Sequence, residues 1–483
     1  HLSIRRQRQM CIRDRFSIGN PYFHMRLNTS ILTSLCLVCF FVLKAQQNPF
    51  YVFQTDDTIL KTTWIQAART VKTSWLSNVN PLHKKDYENI YKTHFEQIEK
   101  ILGSKSVITA KEAHQYLQQI VAKIIQANPV LKADELRLFF TRDWWPNAYS
   151  MGDGSIAINA GLVIHLQNEA ELAFVLCHEL AHYYKSHTLQ SVHQYITLTN
   201  SQEFQKKLKE LSKQEYGVNK ELEKLSRNLI FNSRQHSRNR EAEADIQAYT
   251  FFKNTGYNAT GILSLLQFLD TADKASVFPQ LNVQAMLSSE SYPFKKKWIQ
   301  EESAIFSKMN VQTSEKEANE ADSFKTHPGC VMRIAALKDS VASQRAGKDF
   351  LVDETYFGKL KEALLLELIE YTYQEGNISR NLYYNLLLLQ QQKQTNLAAF
   401  FIARDLNKLY EQQKNHKAGL LVDTENKLLP PDYNLLVRFL NRIRLDELAQ
   451  LTLAFCNRHL RSLTEYPAVA EQLNIAEKNN NQH

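Results

Sequence analysis

The sequence predicts a mainly α-helical fold that contains a small β-sheet and is followed by a second, wholly helical domain. Apolar residues recur at helical spacing through residues 86–127. The period then shortens to two around residues 136–160, which is typical of short strands. From about residue 346 the pattern is helical again and rich in Leu, Tyr and Gln. We therefore expect two domains, at residues 46–345 and 346–483.

The first predicted domain places helices before a short sheet. An apolar stripe indicates a helix over residues 110–127. Residues 136–140 then predict a strand. After a turn at residues 152–154, Ile156 and Ile158 alternate with smaller or polar residues, as they do in a half-buried strand. This α+β arrangement is followed by further helix.

A capped helix follows the strands. Asn168 is a favourable N-cap, and Glu171 stands three residues later, which is the spacing of a capping box. The helix is expected to cover residues 169 to about 187. Residues 202–250 predict more long, charged helix. Residues 273–325 are more polar and are expected to form a loop-rich insertion that covers or reshapes any cleft beside them.

The second predicted domain consists of consecutive helices. Their spacing is loosely that of paired helices, so a repeat-like solenoid and a plain helical bundle both remain open. Residues 478–483 are polar and are expected to fray. The predicted helices cover residues 357–374, 379–391, 395–412, 431–443 and 445–459.

The charge of the chain argues against a nucleic-acid partner. The formal net charge is +8 over 483 residues, with 44% hydrophobic and 22% charged residues. Residues 1–45 account for +6 of that charge, which leaves +2 for the body of the protein. A nearly neutral body lacks the basic surface that binds phosphate backbones.

The N-terminal residues have the pattern of a secretory signal. Met25 and Arg26 precede an apolar run over residues 31–43, and the small residue Ala45 follows. A basic start, an apolar core and a small exit residue are typical of a signal peptide, here residues 25–45. An uncleaved anchor is the alternative. Residues 1–24 resemble spurious upstream translation. The expected location is the periplasm or cell envelope, after secretion across the inner membrane.

The segment His178-Glu179-Leu180-Ala181-His182 indicates a metal site. Two histidines four residues apart project from one face of a helix, where both imidazoles can bind one zinc ion. Glu179 lies beside that face and can act as a general base toward water. Chance is the alternative explanation, because a chain with 15 histidines can contain the pattern by accident.

A third ligand is expected from a later helix. Lys185 and Thr188 stand where a metzincin would need Gly and His, so that class is excluded. Glu241 is the best candidate in the acidic run over residues 240–245, and Glu243 competes with it. A run this acidic can also be an ordinary solvated helix face. Asp245 lies one turn beyond Glu241 and can hydrogen-bond a ligating histidine.

Together these motifs resemble the gluzincin metallopeptidases that include the CAAX prenyl protease, HtpX and the periplasmic BepA-type proteases. The resemblance covers roughly residues 85–345, and the order and spacing of its parts make it specific. The matching segments are Asn147-Ala148, residues 152–154, residues 159–162, residues 168–173, residues 178–182 with His187, Arg240-Glu241, Ala244-Asp245, His327-Pro328 and Arg333-Ile334.

The resemblance implies roles for individual residues. It implies one zinc ion per chain, bound by His178, His182 and Glu241, with Glu179 as the base, and so it selects Glu241 over Glu243. Asp245 is expected to support the ligands. The family element with His327 and Arg333 can approach the active site, where His327 would latch the zinc or stabilise the oxyanion; a surface loop is the alternative. His187 is expected to be a structural residue near the negative end of a helix.

The motifs favour a zinc endopeptidase of the cell envelope that cleaves unfolded or extended protein segments, with a role in protein quality control. The alternative is a latched or inactive scaffold that acts through its C-terminal helices, which are candidates for binding a protein partner. The membrane spans of the CAAX and HtpX branches are missing from the sequence, so no transmembrane bundle is expected. The strand around residues 155–159 is expected to flank the catalytic helix and to offer its edge to substrate.

Overall fold

A small β-sheet packed between helices forms the centre of the fold. The structure is a computed structural model that describes residues 56–211, 239–272, 280–300, 330–344, 346–426 and 429–483. The predicted signal peptide and upstream segment lie outside these residues, as does His327. In the part of the chain that the structure describes, every helix is too short or too polar to cross a membrane.

The helices and strands follow one another in an order that confirms the mainly α prediction with a small sheet. The elements up to residue 211 are α1 (Thr58–Ser77), α2 (Lys84–Gly103), β1 (Val107–Ile108), α3 (Lys111–Ala127), β2 (Arg137–Thr141), β3 (Ala148–Ser150), β4 (Ser155–Asn159), α4 (Ala160–Val163), α5 (Glu169–Tyr184), α6 (His187–Thr199) and α7 (Gln202–Leu211). The remaining elements are α8 (239–252), α9 (Thr260–Ala272), α10 (Val283–Leu287), α11 (Cys330–Ala342), α12 (Glu354–Gln374), α13 (Ile378–Gln390), α14 (Thr395–Lys414), α15 (Pro431–Arg442), α16 (Leu445–His459) and α17 (Pro467–Asn480).

The sheet has the strand order β1-β2-β4-β3. Strands β2 and β4 are parallel, whereas β1 and β3 pair antiparallel at its two edges. Ile156 and Ile158 belong to one core with α5, while Ala157 packs into a second core with α1 and α2. All five residues of β4 are buried, so the prediction of a half-buried strand was wrong. Helices pack on both faces of the sheet. The alternating pattern of the strand did not predict that the second face is also buried.

Consecutive helices from α12 onward build a third core. The five predicted helices are found with shifts of a few residues at their ends. Helix α17 was not predicted, and residues 478–480 belong to it instead of fraying. Its apolar residues Val469, Leu473 and Ala476 are buried against the preceding helices, and this tertiary contact outweighs the polar composition. The division into two domains at residue 346 stays a prediction.

Residues 280–300, part of the predicted insertion, pack on the C-terminal helices. Leu281, Val283 and Trp298 belong to the C-terminal core. The indole Nε1 of Trp298 donates to Glu447 Oε2 at 2.8 Å. Burial opposes ionisation of Glu447, but hydrogen bonds from Lys297, Trp298 and Lys295 lower its pKa to about 2. This part of the insertion is therefore anchored to α16.

A buried ion pair connects the sheet to the C-terminal helices. Arg142 follows β2, and its Nε donates to Glu367 Oε2 of α12 at 2.7 Å. Both side chains are almost completely inaccessible to solvent. The same guanidinium donates through Nη1 to the carbonyl oxygen of Val107 at 3.1 Å. Arg142 thus holds α12 against the end of the sheet.

Removing the carboxylate of this pair should destabilise the protein. We expect Glu367→Ala to lower the free energy of unfolding by about 3–5 kcal/mol, because it removes the closer of the two carboxylates beside a buried guanidinium and leaves only the partly exposed Asp56 at 3.6 Å. Glu362→Ala, at an exposed position on the same helix, should change stability by no more than about 0.5 kcal/mol. Urea unfolding followed by circular dichroism measures both. Equal unfolding midpoints for the two variants would contradict the assignment.

Candidate metal centre

Helix α5 begins at its predicted cap but ends earlier than predicted. Asn168 Oδ1 accepts from the backbone N–H of Glu171 at 3.0 Å, as expected of the N-cap. The helix stops at Tyr184, and Ser186 has a left-handed φ of 56°. His187 starts α6 instead of ending α5, so the expectation that it lies near the negative end of a helix was wrong. The break turns His187 back toward His182.

Three predicted metal-binding side chains converge. His178 Nε2 lies 3.1 Å from His182 Nε2, and Glu241 on α8 places its carboxylate oxygens 3.4 Å from each of these nitrogens. A tetrahedral zinc ion with bonds of about 2.0–2.1 Å holds its ligand atoms about 3.3–3.4 Å apart. The spacing of the donor atoms, and their nitrogen and oxygen chemistry, therefore fit one zinc ion per chain.

Asp245 supports His178 from behind. Its Oδ1 lies 3.0 Å from His178 Nδ1, which leaves Nε2 directed at the other ligands. Burial lowers the pKa of His178, but Asp245 and Glu241 outweigh it and raise that pKa to about 10. Burial raises the pKa of Asp245, but Arg333 and His178 outweigh it and lower that pKa to about 2. Asp245 therefore stays ionised and holds the proton of His178 on Nδ1.

Arg333 contacts the carboxylates of Asp245 and Glu241. Its Nη2 donates to Asp245 Oδ1 at 2.7 Å, its Nε donates to Asp245 Oδ2 at 2.5 Å, and its Nη1 lies 3.4 Å from Glu241 Oε2. The side chain is buried. These contacts let Arg333 balance the charge of two carboxylates and orient them. The predicted catalytic role of Arg333 stays a prediction.

Glu179 is held by the edge strand of the sheet. The backbone N–H of Ser150, on β3, donates to Glu179 Oε2 at 2.7 Å. The predicted substrate edge at residues 155–159 was wrong, because β4 pairs with β2 on one side and β3 on the other. Among the described strands, β3 is the edge beside Glu179. Strand order depends on tertiary pairing, which the local pattern did not specify.

Sequence reasoning missed the way His187 contacts the site. His187 Nδ1 lies 2.9 Å from His182 Nδ1, and its Nε2 lies 3.4 Å from Glu243 Oε2. Burial and the neighbouring His182 lower the pKa of His187 to about 4, so its ring is neutral and can accept a hydrogen bond. Glu243 also pairs with Lys185 at 3.1 Å and is half exposed. A histidine five residues after the second ligand was the available signal.

The contact predicts that His187 orients His182. When Nε2 of His182 binds metal, its proton sits on Nδ1 and points at His187 Nδ1. We expect His187→Phe to weaken zinc binding by about 10–100-fold. His187→Asn, whose amide oxygen can occupy the place of Nδ1, should stay within a few-fold of the wild type. Competition with a fluorescent chelator measures both, and equal affinities for the two variants would show that the ring only fills space.

Comparisons with known proteins agree with this geometry. Residues 111–341 match the family model described as Peptidase family M48. Over 107 residues the chain is 28% identical to a Vibrio cholerae serotype O1 protein named "Putative beta-barrel assembly-enhancing protease". That alignment covers 22% of this chain and 22% of the relative, so the chain matches only about a fifth of that protein's length. The matched region is just under half of the chain and contains His178, Glu179, His182 and Glu241. The match therefore agrees with the gluzincin resemblance that the sequence motifs indicate.

Proposed function

We propose that the protein is a zinc-dependent endopeptidase. The observation that carries the proposal is the convergence of His178, His182 and Glu241, whose ligand atoms all lie within 4.8 Å of one another beside Glu179. The match of residues 111–341 to a peptidase family supports peptide bonds as the target.

The residues of the chain divide the chemistry between them. A bound zinc ion would supply Lewis acidity for the substrate carbonyl and the attacking water. Glu179 takes a proton from that water and later delivers it to the leaving amine. The Ser150 N–H holds one oxygen of Glu179, which leaves the other for the proton. Asp245 and Arg333 keep His178 in the tautomer that binds metal, and His187 does the same for His182.

The free edge of β3 is the proposed substrate platform. An extended peptide can pair with the backbone of β3 and so pass directly beside Glu179. Backbone pairing requires an extended chain, which favours unfolded or loop segments over folded protein. The proposed setting is the periplasm or cell envelope, in protein quality control, with a protein partner on the C-terminal helices. The signal pattern supports this setting, and so does the relative whose name refers to β-barrel assembly.

Removing and restoring the metal tests the proposal. The purified protein should contain one zinc per chain and cleave an unfolded protein such as reduced casein. A chelator should abolish cleavage, and stoichiometric zinc should restore it. Full zinc occupancy without cleavage of any unfolded protein would favour the alternative, a latched scaffold. A protein that cleaves equally well after complete metal removal would refute the zinc mechanism.

A further inference from the structure

A cavity of about 400 Å³ opens where the sheet meets the C-terminal helices. The loop after β2, Tyr149 of β3 and the end of α12 with the start of α13 contribute its walls. We call it the Trp144 cavity. Its lining includes Arg142, Asp143, Trp144, Tyr149, Glu375 and Arg380.

The cavity lies on the face of the sheet opposite Glu179. Ala148 packs into the core that contains α5, whereas Tyr149 packs against the core formed with α1 and α2. Side chains of a paired peptide alternate between the same two faces. Those on one face point toward the catalytic helix, and those on the other face point toward Tyr149 and the Trp144 cavity.

The unmatched charge around this cavity is negative. Arg142 is paired with Glu367 at 2.7 Å, and Arg380 is paired with Asp423 at 2.6 Å, so carboxylates behind the wall already balance both cations. Asp143 and Glu375 are exposed at the rim. Asp143 uses one oxygen to accept from the backbone N–H of Trp145 at 2.8 Å.

Neither rim carboxylate forms an ion pair with another residue in the described ranges. Glu375 is also the C-cap of α12, where the partial negative charge of the helix end adds to its own. The charge of Arg380 acts on Asp143 without an ion pair between them. A positively charged group entering the cavity would therefore meet two carboxylates that are not yet engaged in an ion pair within the described ranges.

Aromatic rings complete the wall. The guanidinium of Arg380 lies 3.6 Å from the centre of the Trp144 ring, so this wall already stacks one cation. Tyr149 and Tyr371 present further rings to the cavity. Such rings contact the aliphatic part of a long basic side chain and attract its charged end.

We propose that the Trp144 cavity is a substrate subsite for a Lys or Arg side chain of the peptide that pairs along β3. The subsite rests on the proposed peptidase function, since it requires a peptide on that strand. It assigns specificity to Asp143 and Glu375, which are far from the metal-binding residues in the sequence. It also gives the C-terminal helices a direct part in substrate selection, through Glu375.

A scan of quenched fluorogenic peptides tests the subsite. Unstructured peptides of one parent sequence carry Lys, Gln or Glu at a single position, which is moved along the chain. In the wild type we expect one position at which kcat/KM for the Lys peptide exceeds that for the Gln peptide by about tenfold. The double variant Asp143→Asn/Glu375→Gln should reduce that ratio to about one, by lowering kcat/KM for the Lys peptide toward that for the Gln peptide.

A matched variant and a binding assay make the result decisive. Glu362→Gln removes one exposed charge about 20 Å away along α12 and should keep the tenfold ratio. Fluorescence anisotropy with the Glu179→Gln protein should show the same preference for the Lys peptide without turnover. A ratio near one at every position in both assays, or a ratio that survives the double variant, would overturn the subsite. If the subsite fails this test but the Gln peptide is still cleaved, the peptidase function stands. If no peptide is cleaved, the result counts against the peptidase function, and the binding assay alone tests the subsite.

Discussion

Replacing Glu179 by Gln is expected to lower kcat/KM by about 10²–10⁴-fold while zinc content stays at one per chain. The amide has the shape of the carboxylate, and its oxygen can still accept from the Ser150 N–H, which lies 2.7 Å from Glu179 Oε2. It cannot take a proton from water at neutral pH. The three predicted ligands are unchanged, so binding of the metal should be preserved.

The measurement pairs hydrolysis of an unstructured peptide with metal analysis of the same samples. Glu362→Gln, on the exposed face of α12, is the control for loss of a carboxylate and should retain full activity. Wild-type rates in the zinc-loaded Glu179→Gln protein would show that another group takes the proton. Loss of zinc from that variant would instead assign Glu179 to metal binding.

Replacing Glu241 and Glu243 of α8 separately by Ala should distinguish the metal ligand from the residue that contacts His187. We expect Glu241→Ala to weaken zinc binding by at least about 100-fold, since it removes a ligand and leaves Arg333 beside an empty position. Glu243→Ala should weaken it by less than about tenfold, because in the described part of the chain the ion pairs of Glu243 are with His187 and Lys185 and its side chain is half exposed. Both variants lose one carboxylate from the same helix, so their net charges match.

Zinc affinity by chelator competition and thermal melting of the metal-free protein distinguish binding from folding. The two metal-free variants should melt within a few degrees of each other. A larger loss of affinity for Glu243→Ala would make Glu243 the ligand, as the acidic run alone allowed. Equal losses would mean that neither acid completes the site.

Local pattern was sufficient for much of the fold. The N-cap at Asn168, the stripe of α3 and most helices after residue 353 follow from side chains a few positions apart along one helix. The pairing of His178 with His182 is of the same kind, because four residues make about one turn and put both rings on one face. The strands lie where the sequence predicts them. Neither their burial on both faces nor the helix α17 was predicted.

Contacts between distant segments do not follow from local sequence pattern. Glu241 and Glu243 are two residues apart, and only the packing of α8 against α5 turns Glu241 toward the histidines and Glu243 toward His187. The family resemblance selected Glu241, but periodicity within the acidic run left the choice open. The exact placement of Arg333 behind Asp245 also depends on α11 meeting α8.

The sequence by itself therefore predicted the metal-binding helix, the general base and the family resemblance, because these depend on spacing within one helix and on motif order. The tertiary structure alone decided which of the described strands lies at the sheet edge beside Glu179, how His187 and Arg333 contact the predicted ligands, and that the C-terminal helices form a cavity with the sheet. The physical reason is that strand pairing and helix packing join residues tens to hundreds of positions apart. The relative orientation of packed helices and paired strands depends on which of their faces become buried, and a short stretch of sequence does not specify this.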